Sequence, residues 1–363
     1  MNGPEIMVSV LEDIEHQLKS YHPLQAASIP ASISPWLATA LLQKSVRRGR
    51  TDLALAAAAS LLQAAPNRLW RRLAIIAVED VGLGDLPAVY LTVVAAAQRK
   101  RLAKRYHSWQ LISLIVARLS EAMKCRCTDD LHVVSEDCLG WGDHQTELAD
   151  MPFGDLLDVL ASNDPIERRA IALRYAMGTE LVAVTSNLTR RRGHPNAVFE
   201  FLCEADFPHT LVEICREAYR QTGEVICGFL PLVCSAFDGF EVNMRSDQFP
   251  PEMMIGEIPS WALDKFTREG RAALARFLAG DSRTSQWLRS HIASRDRISV
   301  LGHALFRVES GLVKNRMIWP GGVSLRHQAD WNSFPAEPNE AATLLDHLRA
   351  DIDLLNKERA NVL

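Results

Sequence analysis

Apolar residues recur along most of this chain at intervals of three and four, the period that gathers them on one side of an α-helix. Strand-like alternation bounded by turn residues is scarce. An amphipathic stretch runs from about Glu5 to Leu18, and a Pro/Ser/Ala-rich connection follows from Pro23 to Pro35. Ser34-Pro35 opens the next helix with a capping hydroxyl and a first-turn proline; it carries Trp36, Leu37, Leu41 and Leu42 and stops near Gly49. Thr51 or Asp52 caps an Ala/Leu-rich helix that ends before Pro66. Asn67 caps another, with Leu69, Leu73, Ile76 and Ala77 on one face and Arg68, Arg71 and Arg72 off it, ending at Gly82. Two more are predicted, from about Pro87 to Arg101 and from about Ser108 to Met123.

The span Cys125–Pro152 is polar and rich in Gly and Asp, which predicts a loop or joint. Helical patterning resumes at Phe153, and Asn163-Asp164-Pro165-Ile166-Glu167 has the cap, proline and nearby glutamate of a helix start. Short helices reach Phe237, with breaks at Gly193-His194-Pro195, Phe207-Pro208 and Gly223. Asp238–Pro259 is expected to be irregular, and further helices run from Ser260 to Leu312. A Trp/Pro/Gly-rich segment, Trp319 to Pro338, precedes a final helix in which Leu345, Leu348, Ile352 and Leu355 make a single seam. The pattern predicts an all-α protein of stacked helical hairpins. Its expected divisions are an N-terminal helix and linker (1–33), a helical domain (34–124), a polar joint (125–152), a second helical domain (153–259) and a C-terminal helical region (260–363).

Composition narrows the class. Of 363 residues, 48% are hydrophobic and 23% charged, as in ordinary globular proteins, so large-scale disorder is not expected. The most apolar windows, Leu53–Ala65 and Val225–Phe237, are too short or interrupted to span a bilayer, and no membrane partner is expected. Glu5, Glu12 and Asp13 do not suit an export signal, and seven cysteines fit reduced thiols, so the cytoplasm is the expected location. The net charge of -4 hides an asymmetry. Between Leu41 and Arg105 twelve Lys/Arg face four acids, so a basic module lies within an acidic chain.

Two stretches carry a resemblance. The first comprises Ala40-Leu41-Leu42-Gln43-Lys44-Ser45-Val46-Arg47-Arg48-Gly49, Asp52-Leu53-Ala54-Leu55, Arg71-Arg72-Leu73 and Ala77-Val78-Glu79-Asp80-Val81-Gly82-Leu83-Gly84-Asp85. It resembles the carboxy-terminal helical region of the MgsA/RarA group of clamp-loader-like AAA+ ATPases, over roughly residues 34–100. The second, Ala262-Leu263-Asp264-Lys265-Phe266-Thr267-Arg268-Glu269-Gly270-Arg271, is similar to a signature of standalone proteins of that group. The resemblance implies a clamp-loader-collar-like helical domain followed by a second helical array. It also implies self-association into a homo-oligomer, and a place among DNA replication or repair proteins. It does not imply catalysis. The phosphate-cradling string G-x-x-x-x-G-K-[ST] is absent, and residues before 34 leave no room for an ATPase core, so no nucleotide cofactor is expected.

Glu79 and Asp80 end a predicted helix, where acids oppose the macrodipole, and Ile75 and Ile76 stand four residues back. They need cations from elsewhere, and Lys44, Arg47 and Arg72 are the nearest in sequence. A structural ion-pair network is the readier account; a binding or catalytic site is the other. Lys44, Arg47, Arg48, Arg50, Arg68, Arg71, Arg99, Lys100, Arg101 and Arg105 form a candidate DNA face, against the alternative of solvated helix ends. Trp70 and Trp109 among them suit a core better than base stacking. Asp264, Thr267, Arg268 and Arg271 fall on one face of a predicted helix, with Asp264 and Arg268 as an i, i+4 ion pair and a candidate second surface. Cys125, Cys127, His132 and Cys138, with His144 nearby, are metal-binding residue types whose spacing matches no standard zinc pattern. The leading expectation is a non-enzymatic accessory protein that self-associates and contacts DNA. The rivals are a protein–protein adaptor of a mobile-element or defence system using the leucine seam, and a metal-dependent enzyme built on Cys125–His144 or on Glu79, Asp80 and Asp85.

Overall fold

The computed structural model describes residues 3–26, 33–137, 139–182, 187–237, 239, 242–332 and 338–363. Among them helices dominate, as the apolar period predicts. In chain order they begin with α1 (Gly3–Ser20), α2 (Pro35–Arg47), α3 (Thr51–Ala64), α4 (Pro66–Ile76), α5 (Leu86–Leu102) and α6 (Ser108–Glu121). Next come α7 (Cys127–Asp137), α8 (Gly142–Ala149), α9 (Phe153–Ala161), α10 (Ile166–Met177), α11 (Pro195–Glu204), α12 (His209–Thr222) and α13 (Phe229–Ser235). The last are α14 (Arg268–Ala279), α15 (Arg283–His291), α16 (Arg297–Leu305), α17 (Pro320–Asn332), α18 (Pro338–Ala350) and α19 (Ile352–Ala360). The short strands are β1 (Asn243–Arg245), β2 (Met254–Ile255), β3 (Ile258–Pro259) and β4 (Arg316–Ile318). None of the described helices is long and apolar enough to cross a membrane.

The chain folds into two compact units, each gathered from three separated stretches. The larger holds Met1–Leu24, Trp70–Arg245 and Asn315–Asn332; the smaller holds Gln25–Leu69, Ser246–Lys314 and Ser333–Leu363. The sequential divisions at 34, 125, 153 and 260 do not coincide with these units, and the stretch 34–124 is shared between them. Helix packing in space, not proximity along the chain, decides the partition.

In the larger unit α1, α6 and α12 pack around α5. Ala88, Val89, Leu91, Val93, Val94, Ala95 and Ala96 of α5 are all buried, the mark of a helix covered on every side. α1 contributes Ile6, Leu11, Ile14 and Leu18 to this core. α7 is a second hub, packed against α10, α13 and α17, while α10 also meets α8, α9 and α11.

The polar span 125–152 is therefore not a loop: it holds α7 and α8, with Leu131, Val134, Leu148 and Ala149 buried. Too few apolar positions announce these helices in sequence, and tertiary packing completes them. The Trp/Pro/Gly-rich segment holds α17. Its glycines serve close approach, since a Cβ on Gly322 would lie 2.7 Å from Cys127 Sγ. The irregular segment 238–259 contains strands as well. β1 pairs antiparallel with β4 through Asn243↔Ile318 and Arg245↔Arg316.

In the smaller unit α2 and α3 form a helical hairpin, and α14 packs on α16 and α19 while α15 and α16 pack on α18. β2 and β3 make a tight antiparallel pair around Gly256, whose φ of 62° suits glycine. The single final helix expected from the leucine seam is divided into α18 and α19 by Asp351, which accepts from Thr284 N and Thr284 Oγ1, each at 2.8 Å. Leu345, Leu348 and Leu355 are buried within the unit, so the seam is an internal packing surface rather than an offered one.

Candidate functional site

In the larger unit the Val78–Asp85 motif takes a particular backbone. After α4 the chain widens into a π-turn, Ala77–Val81, and continues through a 3-10 turn, Gly82–Gly84. Gly82 has φ 48°, and a Cβ there would meet the Cys125 carbonyl at 2.7 Å. Cys125 N donates to Val81 O at 3.0 Å, so the segment around residue 125 docks against the motif. Asp85 then caps α5 by accepting from Ala88 N at 3.0 Å and lies 3.6 Å from Arg118.

The acids of the motif meet Arg126. Its guanidinium donates to Asp80 and Asp129, with Glu79 at 3.3 Å. Asp80 is fully buried and Arg126 nearly so. Burial opposes the charge on Arg126, but Asp129, Asp80 and Glu79 hold it well above its ordinary value. The network expected around Glu79 and Asp80 thus has Arg126 at its centre. Lys44 and Arg47 belong to the other unit, where Lys44 has a different partner. Arg126 lies between two cysteines in a span that patterning leaves as loop. Its one sequence signal is the demand of Glu79 and Asp80 for a cation.

Glu79 faces a cleft of about 640 Å³ in the same unit, where Asp129, Glu136, Glu180 and Glu224 outnumber Arg72 and Arg174. His132 Nε2 lies 3.3 Å from Glu136, and Arg174 donates to Glu136 at 2.8 Å. Burial raises the cost of charge on Glu136, yet His132 and Arg174 outweigh it and bring the carboxyl down to about 2. Asp130 behaves oppositely. Half-buried by surface area but surrounded by protein, it is pushed up to about 7 by desolvation despite Arg126. Tyr219 and Met177 add aromatic and apolar surface to the cleft. An excess of carboxylates beside one phenol suits a cationic or hydrogen-bond-donating ligand.

In the smaller unit the two resemblance stretches meet. Lys44, 3% exposed, lies 2.8 Å from Asp264 Oδ1 and donates to Ala262 O at 3.0 Å. Burial lowers the Lys44 pKa while Asp264 opposes that shift. Arg48 donates to Glu309 O at 2.7 Å and stacks between Phe249 and Trp261, 4.7 and 4.9 Å from their ring centres. Arg359, fully buried, pairs with Glu309 at 2.6 Å and donates to Leu263 O at 3.0 Å. Glu309 lies in a π-turn, Phe306–Ser310, at the end of α16, as Asp80 does at the end of α4.

Asp264 precedes α14 and turns to Lys44, so it forms no helical ion pair with Arg268. Instead it accepts from Phe266 N at 3.0 Å, and Thr267 caps α14 by accepting from Gly270 N at 3.0 Å. Gly270 presses against the Asp264 backbone, where a Cβ has no space. Of the candidate second surface only Arg268 and Arg271 are exposed; Asp264 and Thr267 are interior.

The candidate DNA face is redistributed as well. Lys44, Arg47 and Arg48 are buried, because each finds its charge or ring partner inside the smaller unit. Arg50 pairs with Asp52 and Glu252, and Arg68 stacks on Trp36, 3.9 Å from the ring centre. In the larger unit Arg71 pairs with Glu224 at 2.9 Å, Arg72 faces the cleft, and Arg99 bonds Ala96 O. Lys100, Arg101 and Arg105 remain exposed at the carboxy end of α5, with Lys104 beside them. Glu15 lies 3.9 Å from Arg101 and 3.0 Å from Arg105. Trp70 is buried and Trp109 donates to Leu24 O at 3.0 Å, so neither is a free stacking platform.

Cys125 and Cys127 are buried beside Trp319, and His132 turns to Glu136 and packs edge-on to Phe229. Cys138 lies outside the described residues. Cys125, Cys127 and His132 do not converge as a three-ligand set, since Cys125 precedes α7 and His132 projects into the cleft. His144 pairs with Glu147 and Arg168 instead. No family model, no curated protein and no solved structure matches the chain.

Proposed function

We propose that this chain is a non-enzymatic helical accessory protein of DNA replication or repair that self-associates and touches nucleic-acid phosphates with the basic end of α5. The observation that carries the nucleic-acid part is the exposure of Lys100, Arg101, Lys104 and Arg105 on one helix end while Lys44, Arg47 and Arg48 are consumed inside the fold. Four projecting cations opposed by Glu15 form a phosphate-binding footprint without base recognition. The replication or repair setting rests on the resemblance, and the meeting of its two stretches at Lys44 and Asp264 supports treating them as parts of one motif.

Fluorescence anisotropy with forked and single-stranded DNA at two salt concentrations tests the contact. Binding should weaken with salt, and the quadruple variant K100Q/R101Q/K104Q/R105Q should flatten the log–log salt slope by about 3. No binding at low salt, or a variant that binds like the parent, removes the nucleic-acid part. Light scattering tests self-association, and a strict monomer at tens of micromolar removes that part.

The acidic cleft favours a second reading, a protein that binds a small cationic ligand beside the exposed Glu180. The adaptor reading loses support because its leucine seam is buried.

A further inference from the structure

Away from the cleft and the basic helix end, the larger unit gathers three different metal-ligating side chains at the α11–α12 corner. Cys203 is the penultimate residue of α11, His209 begins α12, and Glu213 follows one turn later on the same side of that helix. The thiol sulfur, an imidazole nitrogen and a carboxylate oxygen all lie within 4.8 Å of one another. We propose that Cys203, His209 and Glu213 bind a zinc ion, with water completing a tetrahedral shell.

The geometry is close to what zinc needs. Zinc–sulfur and zinc–nitrogen bonds of about 2.3 and 2.0 Å give a tetrahedron with edges of roughly 3.5 Å. Cys203 Sγ already lies 3.2 Å from Glu213 Oε1, so only His209 has to draw in. His209 is exposed, and its imidazole has no hydrogen bond or ion pair among the described residues, so nothing has to be broken to recruit it. Glu213 Oε1, the oxygen that faces Cys203, also lies 3.8 Å from Arg216, and Arg216 reaches Glu200 at 3.4 Å.

The donor set selects the metal. One thiolate, one imidazole and one carboxylate suit zinc, whereas magnesium and calcium prefer oxygen alone. Cys203 lies at the negative end of α11, which favours a cation; the amino end of α12 works against it, and the two anionic ligands outweigh that. Without metal the thiol is protonated and donates to Glu213, and burial followed by that carboxylate pushes it up to about 12. Binding breaks the S–H bond, forms a sulfur–metal bond and releases one proton to solvent. Because three protein ligands leave one position open, the bound water is accessible in this arrangement.

The test uses the whole 363-residue chain, stripped with chelator and titrated with cobalt(II), then with zinc as competitor. A thiolate-to-cobalt charge-transfer band should grow to one equivalent, release one proton per metal and be erased by zinc. C203S should abolish the band, and H209A and E213Q should each weaken binding by about tenfold or more. C234S should leave the titration unchanged. Circular dichroism of each variant separates a lost ligand from a lost fold, and H209A, at an exposed site, carries the test if C203S fails to fold. Absence of the band in the parent protein overturns the proposal. So does a titration that is the same in C203S and H209A as in the parent.

Discussion

Arg126 joins Glu79, Asp80 and Asp129, and at its contact with Asp80 water is almost wholly excluded. A buried ion pair adds little over a well-packed apolar pair, but removing one partner strands the other charge. R126A should therefore cost about 3–5 kcal/mol in urea unfolding, whereas R105A, at an exposed pair, should cost below about 1 kcal/mol. Equal losses in the two variants would show that Arg126 is not holding Asp80. The neighbouring carboxyls set opposite pH responses. Glu136 stands at about 2 in the fold against an ordinary 4.5. Its stabilisation is complete above pH 4.5 and is lost as pH falls toward 2. Asp130 stands at about 7 against an ordinary 3.8. The native state keeps a proton there that the unfolded chain has released. That contribution is complete below pH 3.8 and is lost as pH rises through 7. Stability measured against pH should thus lose its acid-side slope in E136Q, while D130N should flatten the decline between about pH 4 and 7. An unaltered profile in both would remove the assignment.

Helix ends carry much of the specification at the scale of elements. Ser34 accepts from Leu37 N, Asp85 from Ala88 N, Thr267 from Gly270 N and Ser282 from Ser285 N, each satisfying an amide the helix leaves open. T267A should cost about 1 kcal/mol, while T267S, which keeps the capping hydroxyl, should retain most of the parent stability, as read by denaturant midpoint. A T267S protein as unstable as T267A would move the role of this residue from capping to space-filling. These ends also show where patterning succeeds. Ser34-Pro35 starts α2 as the cap and proline predict, and Gly49 and Gly223 close their segments with positive φ. Where apolar residues are sparse, as in α7, or where two glycines stand in the first turn, as in α17, the local pattern points to loop and packing decides otherwise. At the candidate sites the acids of the motif are legible because they are locally unfavourable. Arg126, some 46 residues farther on, is identified only when the chain folds back.

The interleaving of the chain belongs to the whole molecule. Each unit draws on three separated stretches, so many of its contacts bridge long sequence intervals. The fragment 34–124, a domain by sequence pattern, contains parts of both units and lacks the partners of each: Asp264 for Lys44, Arg126 for Asp80. Expressed alone it should show no cooperative thermal transition by circular dichroism, while the full chain should. A fragment that melts cooperatively would restore the sequential domain.

By itself the amino-acid order determined the helical class, most helix starts and stops, and the presence of motif acids that demand distant cations. Those features depend on neighbours within a turn or two, through the 3.6-residue period, capping hydroxyls and proline or glycine backbone limits. Tertiary structure alone decided which cations go inside and which helices share a unit. It also decided that Cys203 meets His209 and Glu213 across a corner. Burial and charge pairing are sums over groups brought together by folding, and a side chain's sequence neighbours carry no record of them.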